Sequence, residues 1–180
     1  MKRKIYININ IAARVKRRLA KTVEKWQSLP VKWTKEENLH IALIFLGYID
    51  NDVVFDVCRK IRKATENMEI FDLEFEKIYL APDNNNSQEF RVTGKASEKL
   101  KNLRETIEKE LDIFTAPKKA FSPHITLGKI RKEKWKELKI KPEISEKSSF
   151  SVGVESVDIM ASHFEGGKND FVLIKSCPLK

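Results

Sequence analysis

At 180 residues, with 41% apolar and 34% charged side chains, the chain is long enough for a sizeable core and polar enough for a globular protein. No apolar run approaches the roughly 20 residues of a membrane-spanning helix. Thirty-five Lys and Arg against 26 Asp and Glu give a net charge of +9, which favours an anionic partner, nucleic acid first. A lysine-rich solvated surface would give the same balance.

The basic start, Met1-Lys2-Arg3-Lys4, runs into alternating Ile5, Ile7, Ile9 and Ile11, the pattern of a half-buried strand over residues 3–11. It lacks the apolar stretch and cleavage site of a signal peptide. Val15, Leu19, Val23 and Trp26 recur at helical spacing up to Pro30. Val31-Lys32-Trp33 is a short extended piece. Leu39 to Ile49 reads as a strand ending near Gly47, and Asp50 or Asn51 can cap a helix carrying Val54, Val57, Cys58 and Ile61. Ile70 to Leu80 is a strand. Pro82 to Ser87 is a loop, and Glu89 to Gly94 returns as the second strand of a hairpin. Ser97 can cap a helix with Leu100, Leu103, Ile107 and Leu111 on one face. Ser122 to Ile130 is a strand, residues 131–148 are polar and lysine-rich, and Phe150 to Met160 and Phe171 to Lys175 are closing strands joined through Gly166-Gly167.

The order β-α-β-α-β-β-α-β-β-β predicts an α+β fold of mostly antiparallel sheet, a single domain over residues 1–180. Cys58 and Cys177, the only cysteines, are expected as free thiols in a reducing compartment, and a cytoplasmic monomer is expected. No Cys/His cluster has zinc spacing.

Two of the three histidines lie in nearly the same sequence, Leu39-His40-Ile41-Ala42-Leu43 and Pro123-His124-Ile125-Thr126-Leu127. Both segments read as strands, so His40 shares a face with Ala42, and His124 with Thr126. Two such strands can frame one site and suggest two related lobes. One neutral and one protonated imidazole supply the base and acid that in-line cleavage of a phosphodiester requires. A hydroxyl two residues after the histidine can bond a non-bridging oxygen. A lone histidine in a strand is more often a packing or surface residue; the duplication in a chain with three histidines favours a catalytic pair.

These segments resemble the paired His-x-Thr motifs of the 2H phosphoesterase superfamily. The chain is more closely similar to the RNA 2′,3′-cyclic phosphodiesterases, historically called 2′-5′ RNA ligases. The likeness extends to the opening strand Ile5 to Ile11, to Lys32-Trp33 and Glu37-Asn38-Leu39-His40, to Phe45-Leu46-Gly47 and Phe121-Ser122-Pro123, and to Ser162 and the glycines before Phe171. The resemblance implies two lobes related by a pseudo-twofold, helices outside and an open central cleft. It implies His40 as general acid and His124 as general base. The implied reaction opens RNA 2′,3′-cyclic phosphate ends to 2′-phosphomonoesters with no metal or other cofactor and no membrane partner. A 2′-5′ phosphodiesterase, a 2′-5′ RNA ligase using the same site, and an RNA-binding protein with decayed catalysis are the alternatives.

Ala42 departs from the pattern, standing where the family has Thr or Ser. Losing one hydrogen bond to a charged group costs about 1.5–3 kcal/mol, about tenfold to a hundredfold in rate. Lys129 stands where the family often has Arg, and alternation turns it away from the His124 face unless the strand is bulged. Arg91, in the hairpin strand, is a further candidate phosphate ligand in addition to Thr126 and Lys129. His163 reads as a surface residue, Trp26 as core, Trp33 as core or as a base-stacking ring, and Lys118-Lys119 as a solvated pair or a guide for an RNA backbone.

Overall fold

Alternation of apolar and polar residues builds most of the protein. A computed structural model describes residues 2–83, 86–113, 121–165 and 168–180, and the side chains of all of these except 163–165 and 168–170. Its elements are β1 (Lys2–Asn10), α1 (Ala13–Val23), β2 (Val31–Trp33), β3 (His40–Asp50), α2 (Asn51–Thr65), β4 (Phe71–Ala81), β5 (Glu89–Gly94), α3 (Glu98–Glu110), β6 (His124–Ile130), α4 (Lys132–Lys136), β7 (Ser145–Val154), β8 (Ser156–Glu165) and β9 (Lys168–Pro178). In β1, Ile5, Ile7 and Ile9 point into the core, and Tyr6, Asn8 and Asn10 take the other face.

Among the described residues the strands form one antiparallel sheet in the order β7-β4-β5-β6-β3-β1-β8-β9, with β2 also on β6. The order reads as two four-stranded halves, β6-β5-β4-β7 and β3-β1-β8-β9, each led outward from a histidine strand. They meet at one residue pair, Ile41 with Ile125, both fully buried. Beyond it β3 and β6 part, and β2 takes over the edge of β6. Gly128 allows this approach, because a Cβ there would stand 2.6 Å from Val31 Cγ1 and 2.9 Å from the Trp33 ring. The fold is α+β and mostly antiparallel, as expected.

The helices tie the halves together. Val15, Leu19 and Val23 of α1 are buried, and its Arg18 donates to the Ser149 carbonyl of β7 at 3.2 Å. Helix α3 starts on Ser97, whose hydroxyl accepts from the Leu100 N–H, and meets α2 through the Lys63–Glu110 ion pair at 3.0 Å. Asp50 flanks α2 without a side-chain cap bond. Among the described residues no helix is long and apolar enough to cross a membrane.

Three elements differ from the sequence-based expectation. Phe150 to Met160 is two strands, because the chain leaves β4's edge and joins β1's edge at Glu155. The polar stretch 131–148 holds the short helix α4, which buries Trp135. Helix α1 ends at Val23, before Pro30, and continues as one tighter turn, Glu24–Trp26. Gly166-Gly167, Lys118-Lys119, Asn84 and Asn85 lie outside the described residues, as does the His163 side chain. Cys58 and Cys177 are free thiols.

Candidate functional site

The joint between the halves carries both histidine motifs. Opposite residues of an antiparallel pair share a face. With Ile41 and Ile125 paired and buried, one further step of the register puts His40 beside Thr126 and Ala42 beside His124, all on the opposite face. The two imidazoles lie on a cross-strand diagonal, which spans roughly 7–8 Å. Each is part-buried at the first position of its strand.

Both rings are oriented by the backbone two residues earlier. His40 Nδ1 donates to the Asn38 carbonyl at 2.7 Å, which leaves Nε2 to carry or take a proton. His124 is bonded to the Ser122 backbone. The start of β6 is fixed by Gly94, whose N–H donates to the Pro123 carbonyl. A Cβ at Gly94 would stand 2.2 Å from the Glu74 carbonyl oxygen. Burial lowers the pKa of His40, with Lys16 acting in the same sense and the Asn38 bond opposing. Burial also lowers that of His124. Arg91 and His40 add to the lowering, and Glu89 opposes it. His124 thus feels the charge of His40.

Arg91 and Thr93 stand opposite Thr126 and His124 in β5. Glu89 is a side chain of this candidate site that sequence reasoning missed. Its carboxylate accepts from Arg91 Nε at 2.8 Å and also from the Arg91 terminal nitrogen. It accepts the Thr126 hydroxyl at 3.0 Å as well. Its two-residue spacing from Arg91, on one strand face, was the available signal. The register between β5 and β6 skips Leu127, so Glu89 pairs with Lys129. This bulge, whose Leu127 carbonyl accepts from the Thr34 N–H, returns Lys129 to Glu89's side of the sheet. Simple alternation would have turned it away.

Trp33 packs its ring 4.9 Å from Phe90 and Trp26 packs 5.5 Å from it, so both belong with the core. A cavity of about 170 Å³ opens beside His40, lined among others by Asn8, Asn10, Lys16, Asp158 and Phe171. Asn8 is only 4% exposed and pairs with Ala42, while Asn10 pairs with His40. Among the described residues no three His, Cys, Asp or Glu side chains cluster to hold a metal ion.

Two antiparallel half-sheets that meet at a single residue pair, with helices packed on them, define the fold. Solved structures share it. E. coli LigT complexed with NADP+ superimposes with a TM-score of 0.79 at 16% identity over 99% of each chain. TT0787 of Thermus thermophilus gives 0.78 at 16% identity over 98% of this chain and 97% of its own. The RNA 2′,3′-cyclic phosphodiesterase of Thermotoga maritima is 24% identical over 139 residues, 74% of each chain. That of Methanocaldococcus jannaschii is 22% identical over 128 residues, 71% of this chain and 72% of its own. The 2′-5′ RNA ligase superfamily model matches residues 15–163, and the chain belongs to that superfamily.

Proposed function

We propose that this protein opens RNA ends carrying a 2′,3′-cyclic phosphate, leaving a 2′-phosphomonoester. The supporting observation is the diagonal placement of His40 and His124 on one face at the Ile41–Ile125 joint. The whole chain acts as one domain, with the two half-sheets sharing the cleft.

In the reaction, His124 takes a proton from a water whose oxygen attacks phosphorus. The bond from phosphorus to the 3′-oxygen breaks, and His40 gives that oxygen its proton. The products are a 3′-hydroxyl and a 2′-phosphate, and the imidazoles regain their starting states by proton exchange with water. Thr126, Arg91 and Lys129 receive the non-bridging oxygens, where charge-assisted bonds strengthen as charge develops. Thr126 has one proton, and its hydroxyl donates it to Glu89, so a phosphate must draw the hydroxyl away from that carboxylate. The acid and base are both imidazoles, and no step needs a metal.

The test is product analysis on short RNA with a 2′,3′-cyclic phosphate end, with and without exhaustive chelation. The expected result is a 2′-phosphomonoester at the same rate in both. Activity lost to chelation and restored by a divalent ion overturns the metal-free mechanism. Tight RNA binding without turnover overturns the reaction itself. A product joined through a 2′-5′ linkage overturns the hydrolytic assignment.

A further inference from the structure

Beyond His40, the sheet face of the first half that carries this imidazole also carries aromatic side chains that the proposed chemistry does not use. The register sets them in two cross-strand rows. One runs Phe45, Tyr6, Met160, Leu173 across β3, β1, β8 and β9; the next runs Tyr48, Lys4, Ser162, Phe171. The rings form a connected series. Tyr6 lies 4.9 Å from Phe45 and 5.4 Å from Phe171 between centroids, and Phe171 lies 5.8 Å from the His40 ring. Lys4 Nζ sits 5.3 Å from the Phe45 centroid and 5.7 Å from that of Tyr6. Phe45 is 57% exposed and Tyr48 70%.

Such rings are not core. A contiguous apolar surface open to solvent marks a binding site. The two rows contain no carboxylate, they hold a cation among the rings, and the whole chain carries +9, which suits a polyanion. Unpaired bases stack on aromatic faces in this setting, and a basic side chain meets the backbone between them.

We infer that this surface is a stacking track for single-stranded RNA upstream of the reacting end. The terminal base lies against Phe171, the preceding nucleotide against Tyr6 and Phe45, and Lys4 faces the intervening phosphate. The assignment rests on the reading of His40 as donor to the 3′-oxygen. That oxygen belongs to the terminal nucleotide, whose base must then lie on the His40 side.

Two measurements test it. The first is kcat/KM on a cyclic mononucleotide and on a tetranucleotide with the same 2′,3′-cyclic end. The longer RNA is expected to react on the order of tenfold or more faster, with Phe45→Ala and Phe45→Leu each removing most of that gain. A Phe45→Leu protein that keeps the full gain overturns stacking, since leucine retains apolar area without a π-face. The second is the Kd of a fluorescein-labelled tetranucleotide ending in a 2′-phosphate, which needs no turnover; Phe45→Ala should weaken it by about tenfold. RNA binding weakened by Phe45→Ala in a protein that opens no cyclic phosphate supports the track and overturns the reaction. Equal rates on both lengths, with Kd indifferent to Phe45→Ala, overturn the track and leave the reaction standing. Self-association of the wild type that Phe45→Ala abolishes also overturns it, by assigning the patch to a second copy of the chain.

Discussion

In the half that carries His124, the neighbours of the motif are charged. Arg91 stands opposite Thr126, Glu89 bonds both of them, and Lys129 returns to their side beyond the bulge. In the half that carries His40 the nearest strand neighbours are amides and rings, Asn10 opposite His40, Asn8 opposite Ala42, then Phe171 and Tyr6, with the charges of Lys16 and Asp158 set on the wall of the cavity beside them. The imidazoles repeat and their settings do not. A nearly symmetric motif can therefore serve an asymmetric ligand, with the phosphate charge met from one side and the nucleoside from the other.

Removing either imidazole should have the largest effect. His40→Ala and His124→Ala are each expected to lower the rate by about 10²–10⁴-fold. The double variant should fall well short of the product of the two losses, because the groups act as a unit. The pH profile separates the halves. His40→Ala should abolish the alkaline limb, which reports loss of the acid's proton, and His124→Ala the acidic limb. Steady-state rates on one cyclic-phosphate RNA across pH check this, and exchanged limbs would exchange the proposed roles.

The next effect concerns the residue two places after each histidine. Thr126→Ala is expected to lower the rate about tenfold to a hundredfold, the cost of one bond to a charged group. Ala42→Thr adds the missing hydroxyl in the other half and should raise the rate, by about tenfold. Asn8, nearly buried against Ala42, offers an amide to the same place, so the gain should be larger in an Asn8→Ala background. Equal gains in both backgrounds would show that Asn8 supplies nothing there.

The parts of this arrangement that follow strict alternation were legible in the sequence. His40 and Ala42, His124 and Thr126, and the isoleucines of β1 took the faces that a period of two assigns them. What was not legible depends on register. Lys129 turns on a bulge at Leu127, which repeats nothing in the local pattern. Glu89 opens the returning strand of a hairpin, and nothing in that strand ties it to Thr126 until β6 comes alongside. Phe150, Val152 and Val154 alternate on even positions and Val157 and Ile159 on odd ones, so the phase slips at Glu155-Ser156; that slip is the one local sign of the crossover, and it does not say which edges the two ends serve. Tyr6, Phe45 and Phe171 are far apart in the chain and meet only through β1's pairings with β3 and β8.

Glu89 offers a smaller, sharper test of the charged half. Its carboxylate competes with a phosphate for Arg91 and Thr126. Glu89→Gln should therefore bind the 2′-phosphate product several-fold more tightly, by the loss of a nearby negative charge. Product-inhibition constants at fixed pH check it, and weaker inhibition would mean that holding Arg91 in place matters more than the repulsion.

The smallest effect is on stability. Burial, first, holds both imidazoles below the ordinary histidine value in the fold, whereas the unfolded chain titrates near the reference of about 6.5. As pH falls through that value, the unfolded chain takes up protons that the fold still refuses, so unfolding becomes easier. The stability these groups contribute is complete above about pH 6.5 and is lost as pH drops toward their folded values. The urea midpoint should therefore be lower at pH 5 than at pH 7.5, and His40→Gln and His124→Gln should each reduce that difference. Arg91 lowers His124 as Lys16 lowers His40, and His124 also has a carboxylate beside it that works the other way. Glu89 opposes the lowering of His124, so Glu89→Gln should widen its gap and steepen the loss. Lys16 adds to the lowering of His40, so Lys16→Gln should narrow its gap and flatten it. Slopes that move together in the two variants would mean that these charges act on the fold as a whole and not through the histidine each one faces.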